Sequence, residues 1–104
     1  MTMKKYPIIY LPAAEKDIES IFDYIRRDSP ARASKFIQIM DRKISRLENF
    51  PLSGAQSRDP YVRGKNFRIV VVGEYLVFYR FEKKQLFIHR ILHSRRRFGF
   101  LFRS

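Results

Sequence analysis

This sequence predicts an α+β fold, a helical hairpin packed on an antiparallel meander sheet in the order βααβββ, and three features carry the prediction. Two stretches in the first half repeat apolar residues at helical spacing. Three runs in the second half alternate as strands do, and most of the links between these segments carry turn or cap residues. With 104 residues the chain can bury one core and has little to spare for a second, so residues 1–104 are taken as a single domain.

Tyr6 to Leu11 reads Y-P-I-I-Y-L, a short β-rich run in which Pro7 suits the start or edge of a strand. Pro12 stands where a helix begins. Glu15, Asp17 and Glu19 put negative charge in the early turns, and Arg26 and Arg27 put positive charge in the last, as the macrodipole favours. Ala14, Ile18, Ile21, Phe22 and Ile25 form one apolar stripe, so the spacing predicts a helix over Pro12 to Arg27. Asp28-Ser29-Pro30 is a tight connection in which Ser29 reads as an N-cap and Pro30 as a first-turn proline. The second stripe is Ala33, Phe36, Ile37, Met40, Ile44 and Leu47, and Asn49-Phe50-Pro51 stops it. Two amphipathic helices so joined make an antiparallel hairpin whose stripes pack a core.

Leu52 to Asn66 is polar, long for a connection within a compact domain, and basic through Arg58, Arg63 and Lys65, which marks it as a candidate contact segment. Phe67 to Val72, Tyr75 to Phe81 and Leu86 to His93 then read as strands. Gly73 in the two-residue link Gly73-Glu74 suits a type II′ hairpin turn. If Val72 pairs with Tyr75 and Glu82 with Gln85, alternation sorts the meander into two faces. One face holds Phe67, Ile69, Val71, Leu76, Phe78, Phe87 and Ile91, with Arg80, His89 and His93 among them. The other holds Arg68, Val70, Val72, Tyr75, Val77, Tyr79, Phe81, Ile88, Arg90 and Leu92. One helical hairpin covers only one of them, so the surplus face must meet the tail, a second copy or another protein.

The 22 Lys and Arg outweigh the 10 Asp and Glu, giving +12, a field that attracts polyanions or a strongly acidic protein. The excess is uneven: residues 1–50 hold 10 basic and 7 acidic groups, residues 51–104 hold 12 and 3. The chain has no cysteine and only two histidines, His89 and His93, which excludes a disulfide framework and a thiolate metal site. Ser29 and Ser94 lack companions for a nucleophilic triad, and the glycines do not form a phosphate-binding loop. No metal and no cofactor are expected. The absence of a sustained apolar run or a secretory signal pattern makes a cytoplasmic protein without a membrane partner the expectation.

The end of the chain is unusual. Leu86 to His93 runs directly into Ser94-Arg95-Arg96-Arg97-Phe98-Gly99-Phe100-Leu101-Phe102-Arg103, three guanidiniums followed by phenylalanines, and residues 94–104 read as a basic, aromatic docking tail. The order βααβββ, with P-A-A-E-x-D-I after the first strand, F-R before V-G-E-Y-L-V-F-Y-R, and I-H-R-I-L-H-S-R-R-R-F at the end, resembles the RelE/ParE toxin superfamily over nearly the whole chain. Ile91-Leu92-His93-Ser94-Arg95-Arg96 followed by Phe98 is similar to the V-x-H-x-R-R-x-F ending of ParE-type members. The resemblance implies a RelE/ParE-like fold and a bacterial toxin of a type II toxin-antitoxin module, of the kind that stabilises plasmids. It also implies a hetero-oligomer with an acidic antitoxin that wraps around the toxin.

The superfamily contains ribosome-dependent mRNA endonucleases of the RelE type and DNA gyrase inhibitors of the ParE type, the latter not known as nucleases. The strand Gly73-Glu74-Tyr75-Leu76-Val77-Phe78-Tyr79 offers no cation where RelE-type enzymes place a catalytic arginine, and the tail has no counterpart of their C-terminal tyrosine. Phosphoryl-transfer chemistry depends on placed charge. The resemblance therefore implies a gyrase-inhibiting toxin with no catalytic residues. The alternative is an mRNA interferase acting on ribosome and message through Arg68, His93 and Arg95; a further alternative is a non-toxic basic nucleic-acid-binding module. Arg63, Lys65, Arg68, Arg95, Arg96, Arg97 and Phe98 are the expected target contacts. Phe67, Leu76, Phe78, Phe87, Phe100 and Phe102 are the expected antitoxin contacts.

Overall fold

The structure, a computed structural model, describes residues 5–95. β1 (Ile8–Tyr10) leads into α1 (Pro12–Asp28), and α2 (Pro30–Ser45) packs back on it, continued by a single 3-10 turn, Arg46–Glu48. After these come β2 (Ala55–Gln56), α3 (Pro60–Gly64), β3 (Arg68–Val72), β4 (Tyr75–Glu82) and β5 (Gln85–His93). The sheet order is β1-β5-β4-β3-β2, with β1 parallel to β5 and the other neighbours antiparallel. The expected meander is thus the centre of a mixed five-stranded sheet. β1 pairs in parallel because the helical hairpin between it and the meander supplies the long crossover that a parallel pair needs.

The local signals act as their chemistry requires. The Ser29 hydroxyl accepts from the Arg32 amide at 3.2 Å, capping α2 ahead of Pro30. Gly73 has φ +59° while Glu74 stays negative, the signature of a type II′ rather than a type I′ turn. The connection from Leu52 to Asn66 is not structureless as its polarity suggested, because Asp59-Pro60 repeats the cap-and-proline device of Ser29-Pro30. Asp59 Oδ1 accepts from the Val62 amide at 3.2 Å and starts the single turn of α3.

The helical hairpin covers the sheet face that carries Val72, Val77, Tyr79, Leu86, Ile88 and Ile91, against Ala14, Ile21, Met40, Ile44 and Leu47. Burying each of the larger of these side chains stabilises the fold by about 1.5–3 kcal/mol. Ile91 differs from the alternation read along the sequence, which put it on the far face. Tyr79 faces Ile88, yet Phe78 faces Arg90, so a bulge leaves His89 unpaired and shifts the end of β5 by one residue. The bulge turns Ile91 toward the helices and sends Leu92 into a second cluster on the far face with Val62, Phe67 and Phe78. His93 moves with Ile91, packing edge-on against Tyr75 on the helical side.

Two polar devices hold the layers. Beyond the end of β1, the edge of β5 is closed by Asp17 of α1, which accepts from the Ile91 amide at 2.9 Å and from the Arg90 guanidinium at 2.7 and 3.0 Å. At the other end of the sheet the buried Tyr79 hydroxyl donates to the Pro51 carbonyl at 2.8 Å and accepts from the Gly54 amide at 2.9 Å. Gly54 has to be glycine there, since a Cβ would stand 2.5 Å from the tyrosine ring and hydroxyl.

Candidate functional site

The expected target residues divide into three places. The first is the junction of the 52–66 connection with β3. Arg68 points to the helical side of the sheet and donates through Nη1 to the carbonyls of Leu52 at 3.2 Å and Gly54 at 2.9 Å, so it clamps the same loop that Tyr79 holds. Arg63 donates from Nε to the Ser57 carbonyl at 3.2 Å. Both guanidiniums line a crevice of about 240 Å³ with Gln56, Asn66 and Phe67, and Lys65 is exposed beside it.

The second place is the end of β5. His93 Nδ1 accepts from the Arg95 amide at 3.1 Å, its Nε2 lies 3.5 Å from Glu74 Oε2, and the Ser94 amide donates to the Glu74 carbonyl at 2.8 Å. These contacts fix the direction in which the chain leaves the sheet. Arg95 is exposed there. Arg96, Arg97, Phe98, Phe100 and Phe102 lie outside the described residues.

Arg68 and His93 are not brought together. Arg68 stands opposite Tyr79 and His93 opposite Tyr75, on the two strands that flank β4. Four residues along a strand is roughly 13 Å, and the two outer strands are about 9.5 Å apart across β4. Arg68 and His93 line different crevices, and Arg95 lines neither of them.

The third place is the far face of the sheet, where antitoxin contacts were expected. Phe78 is 0% exposed and Phe67 5%, so both are interior residues; Leu76 and Phe87 are half-buried. The alternation identified this face but could not show that α3 returns Val62 over part of it. Around Phe67 the structure assembles a cluster that the sequence reading did not single out. The Arg80 guanidinium lies over the ring with Cζ 4.8 Å from its centroid, and the His89 ring meets it edge-on at 4.8 Å. Arg80 Nη1 is 3.4 Å from Glu82 Oε1. Burial lowers the His89 imidazole below its ordinary value, and the Arg80 charge pushes in the same direction.

A second surface was also missed. Tyr24 of α1 is 68% exposed and forms one wall of a trough of about 400 Å³ with Ile25, Phe36, Ile39 and Tyr75, rimmed by Arg32 and Lys35. Tyr24 sits beside the predicted stripe of α1, and only the packing of Phe36 edge-on against Tyr75 at 5.2 Å shows that the stripe ends in a groove.

Residues 8–98 match the family model described as ParE toxin of type II toxin-antitoxin system, parDE. In fold the chain is similar to a chain of a chromosomal ParDE toxin-antitoxin system from P. aeruginosa, with TM-score 0.68 and 21% identity over 86% of this chain and 97% of that one. It is also similar to a chain of the toxin-antitoxin complex RelBE2 from Mycobacterium tuberculosis, with TM-score 0.58 and 18% identity over 86% and 98%. No curated protein matches the sequence.

Proposed function

This chain belongs to the family of ParE toxins of type II toxin-antitoxin systems, and from that premise we propose that it arrests growth by binding DNA gyrase and is neutralised by an acidic antitoxin. The observation that favours gyrase inhibition over mRNA cleavage is the separation of Arg68 from His93 across β4. Cleavage next to a 2′-hydroxyl needs a base and cations around one phosphate. Arg68 instead spends Nη1 on two loop carbonyls, and His93 spends Nδ1 on a backbone amide. The protein then acts by docking, with Arg63, Lys65, Arg95, Arg96, Arg97 and Phe98 as target contacts.

The antitoxin reading moves from the buried phenylalanines of the far face to the trough beside Tyr24. An interface core needs exposed apolar surface with a charged rim, and Tyr24, Phe36 and Tyr75 with Arg32 and Lys35 offer both. A segment with apolar anchors and flanking carboxylates fits that trough, and the complex is a cytoplasmic hetero-oligomer.

The test is purified toxin on gyrase and on translating ribosomes. It should inhibit supercoiling or trap cleaved DNA and leave messages intact, and its induction in bacteria should cause DNA breaks and filamentation. Codon-phased message cleavage with gyrase unaffected would assign the chain to the RelE activity instead.

A further inference from the structure

The cluster around Phe67 has features that packing alone does not account for. Arg80 lies half-buried on the far face, its side chain 25% exposed and its guanidinium carbon 4.8 Å from the centroid of the Phe67 ring. Its Nε is buried and donates to nothing, an unmade charge-assisted bond that is costly in a low-dielectric setting. The carboxylate of Glu82 is about half exposed and approaches Nη1 at 3.4 Å. His89 adds an imidazole edge-on to the same ring, and a neutral imidazole carries one N–H donor. The bulge between β4 and β5 leaves this histidine outside the ladder, against Phe67.

A guanidinium over an aromatic ring, its charge only partly met by a half-exposed carboxylate, with an imidazole on the same ring, forms half of an anion site. The structure also favours one class of anion. Tyr24, Phe50, Leu52 and Val71 are the large apolar residues most exposed among the described ones, and none belongs to this cluster. The apolar surface beside Arg80 is confined to half-buried Phe87 and Leu76, whereas a polyanion needs only charge and hydrogen-bond donors. The half of the chain that carries the cluster has 12 basic and 3 acidic groups. Two of the basic groups, Lys83 and Lys84, form the tip of the same β4–β5 hairpin, about 10 Å along the strand from Arg80.

We propose that Arg80, over the Phe67 ring, and His89, edge-on to it, bind a phosphate of a nucleic-acid backbone. The Nη end of the guanidinium, beyond the buried Nε, donates to two phosphate oxygens, and the imidazole N–H donates to a third acceptor. The contact carries no sequence information and fixes how the toxin sits on the strand. The inference stands apart from the gyrase reading, because it concerns binding to bare nucleic acid with no gyrase present.

The experiment is fluorescence anisotropy of the full chain on a short labelled DNA duplex over a salt series, with soluble poly-glutamate as a second probe. Arg80→Met keeps aliphatic packing on Phe67 and removes the charge. It should weaken DNA binding about tenfold and reduce the salt slope by about 0.9, the share of one neutralised phosphate. Arg80→Lys should keep the slope and lose affinity, since an ammonium has no fork. Lys16→Met, on the exposed side of α1, should change neither. A thermal melt of each variant separates lost binding from lost folding; if Arg80→Met does not fold, Arg80→Lys and His89→Gln decide. Unchanged DNA affinity in the folded variants overturns the proposal. A loss confined to poly-glutamate also overturns it, making the cluster a carboxylate site for an acidic protein.

Discussion

At the scale of single residues, the sequence could show types but not partners. Ser29-Pro30 was legible because a cap and its proline are neighbours in the chain. Arg80, His89 and Phe67 were not, since they come from two strands and the residue just ahead of a third and meet through a bulge that no spacing rule announces. Arg68 was legible as a cation and misleading as a site, because its acceptors, the carbonyls of Leu52 and Gly54, sit in an irregular loop. His89 carries a pH prediction. Its imidazole is held below the ordinary value of 6.5 by burial first and by Arg80 second. The unfolded chain therefore takes up a proton near pH 6.5 while the folded one does not. Stability should be full above that pH, fall as pH drops from 6.5 toward the lower folded value, and lose nothing further from this group below it. Urea midpoints measured between pH 7.5 and 5.5 should show this loss in the wild type and a smaller one in His89→Gln. Equal pH dependence in the two would mean that His89 titrates as it does in the unfolded chain.

At the scale of elements, periodicity recovered both helices and the three meander strands to within about two residues, because each has a face that must be buried. β2 and α3 were missed because they are too short to have a period; Asp59-Pro60 was the available signal for α3. The β4–β5 turn was placed correctly but its type was hidden. Lys83 and Lys84 adopt φ +50° and +61°, the type I′ geometry that Asn-Gly favours and that side chains with a Cβ resist. The hairpin enforces them because Glu82 pairs with Gln85 directly across the turn. Replacing the pair by Asn-Gly (K83N/K84G) should relieve that strain and stabilise the fold by about 1 kcal/mol, read as a shift of the urea midpoint. A midpoint that does not move would show that the lysines carry no strain in the turn.

At the scale of the whole molecule, charge and apolar surface act over different ranges, and that difference assigns them different parts of binding. The excess of 12 basic over 3 acidic groups in residues 51–104 acts at a distance, whereas the trough beside Tyr24 acts only on contact. Steering by a net field raises the association rate and is screened once the Debye length falls to a few ångströms, about 3 Å at 1 M salt. Buried aromatic anchors set the lifetime of a complex and are far less sensitive to salt. Association with the acidic antitoxin should therefore slow by about tenfold or more when salt is raised from 0.05 to 0.5 M, with dissociation nearly unchanged. Tyr24→Ala should do the reverse, leaving association close to wild type and speeding dissociation by about tenfold or more, as loss of a central aromatic anchor does. Both constants come from one surface-plasmon series at several salt concentrations. An association rate indifferent to salt would remove the steering role of the basic half, and a dissociation rate indifferent to Tyr24 would place the antitoxin on another face.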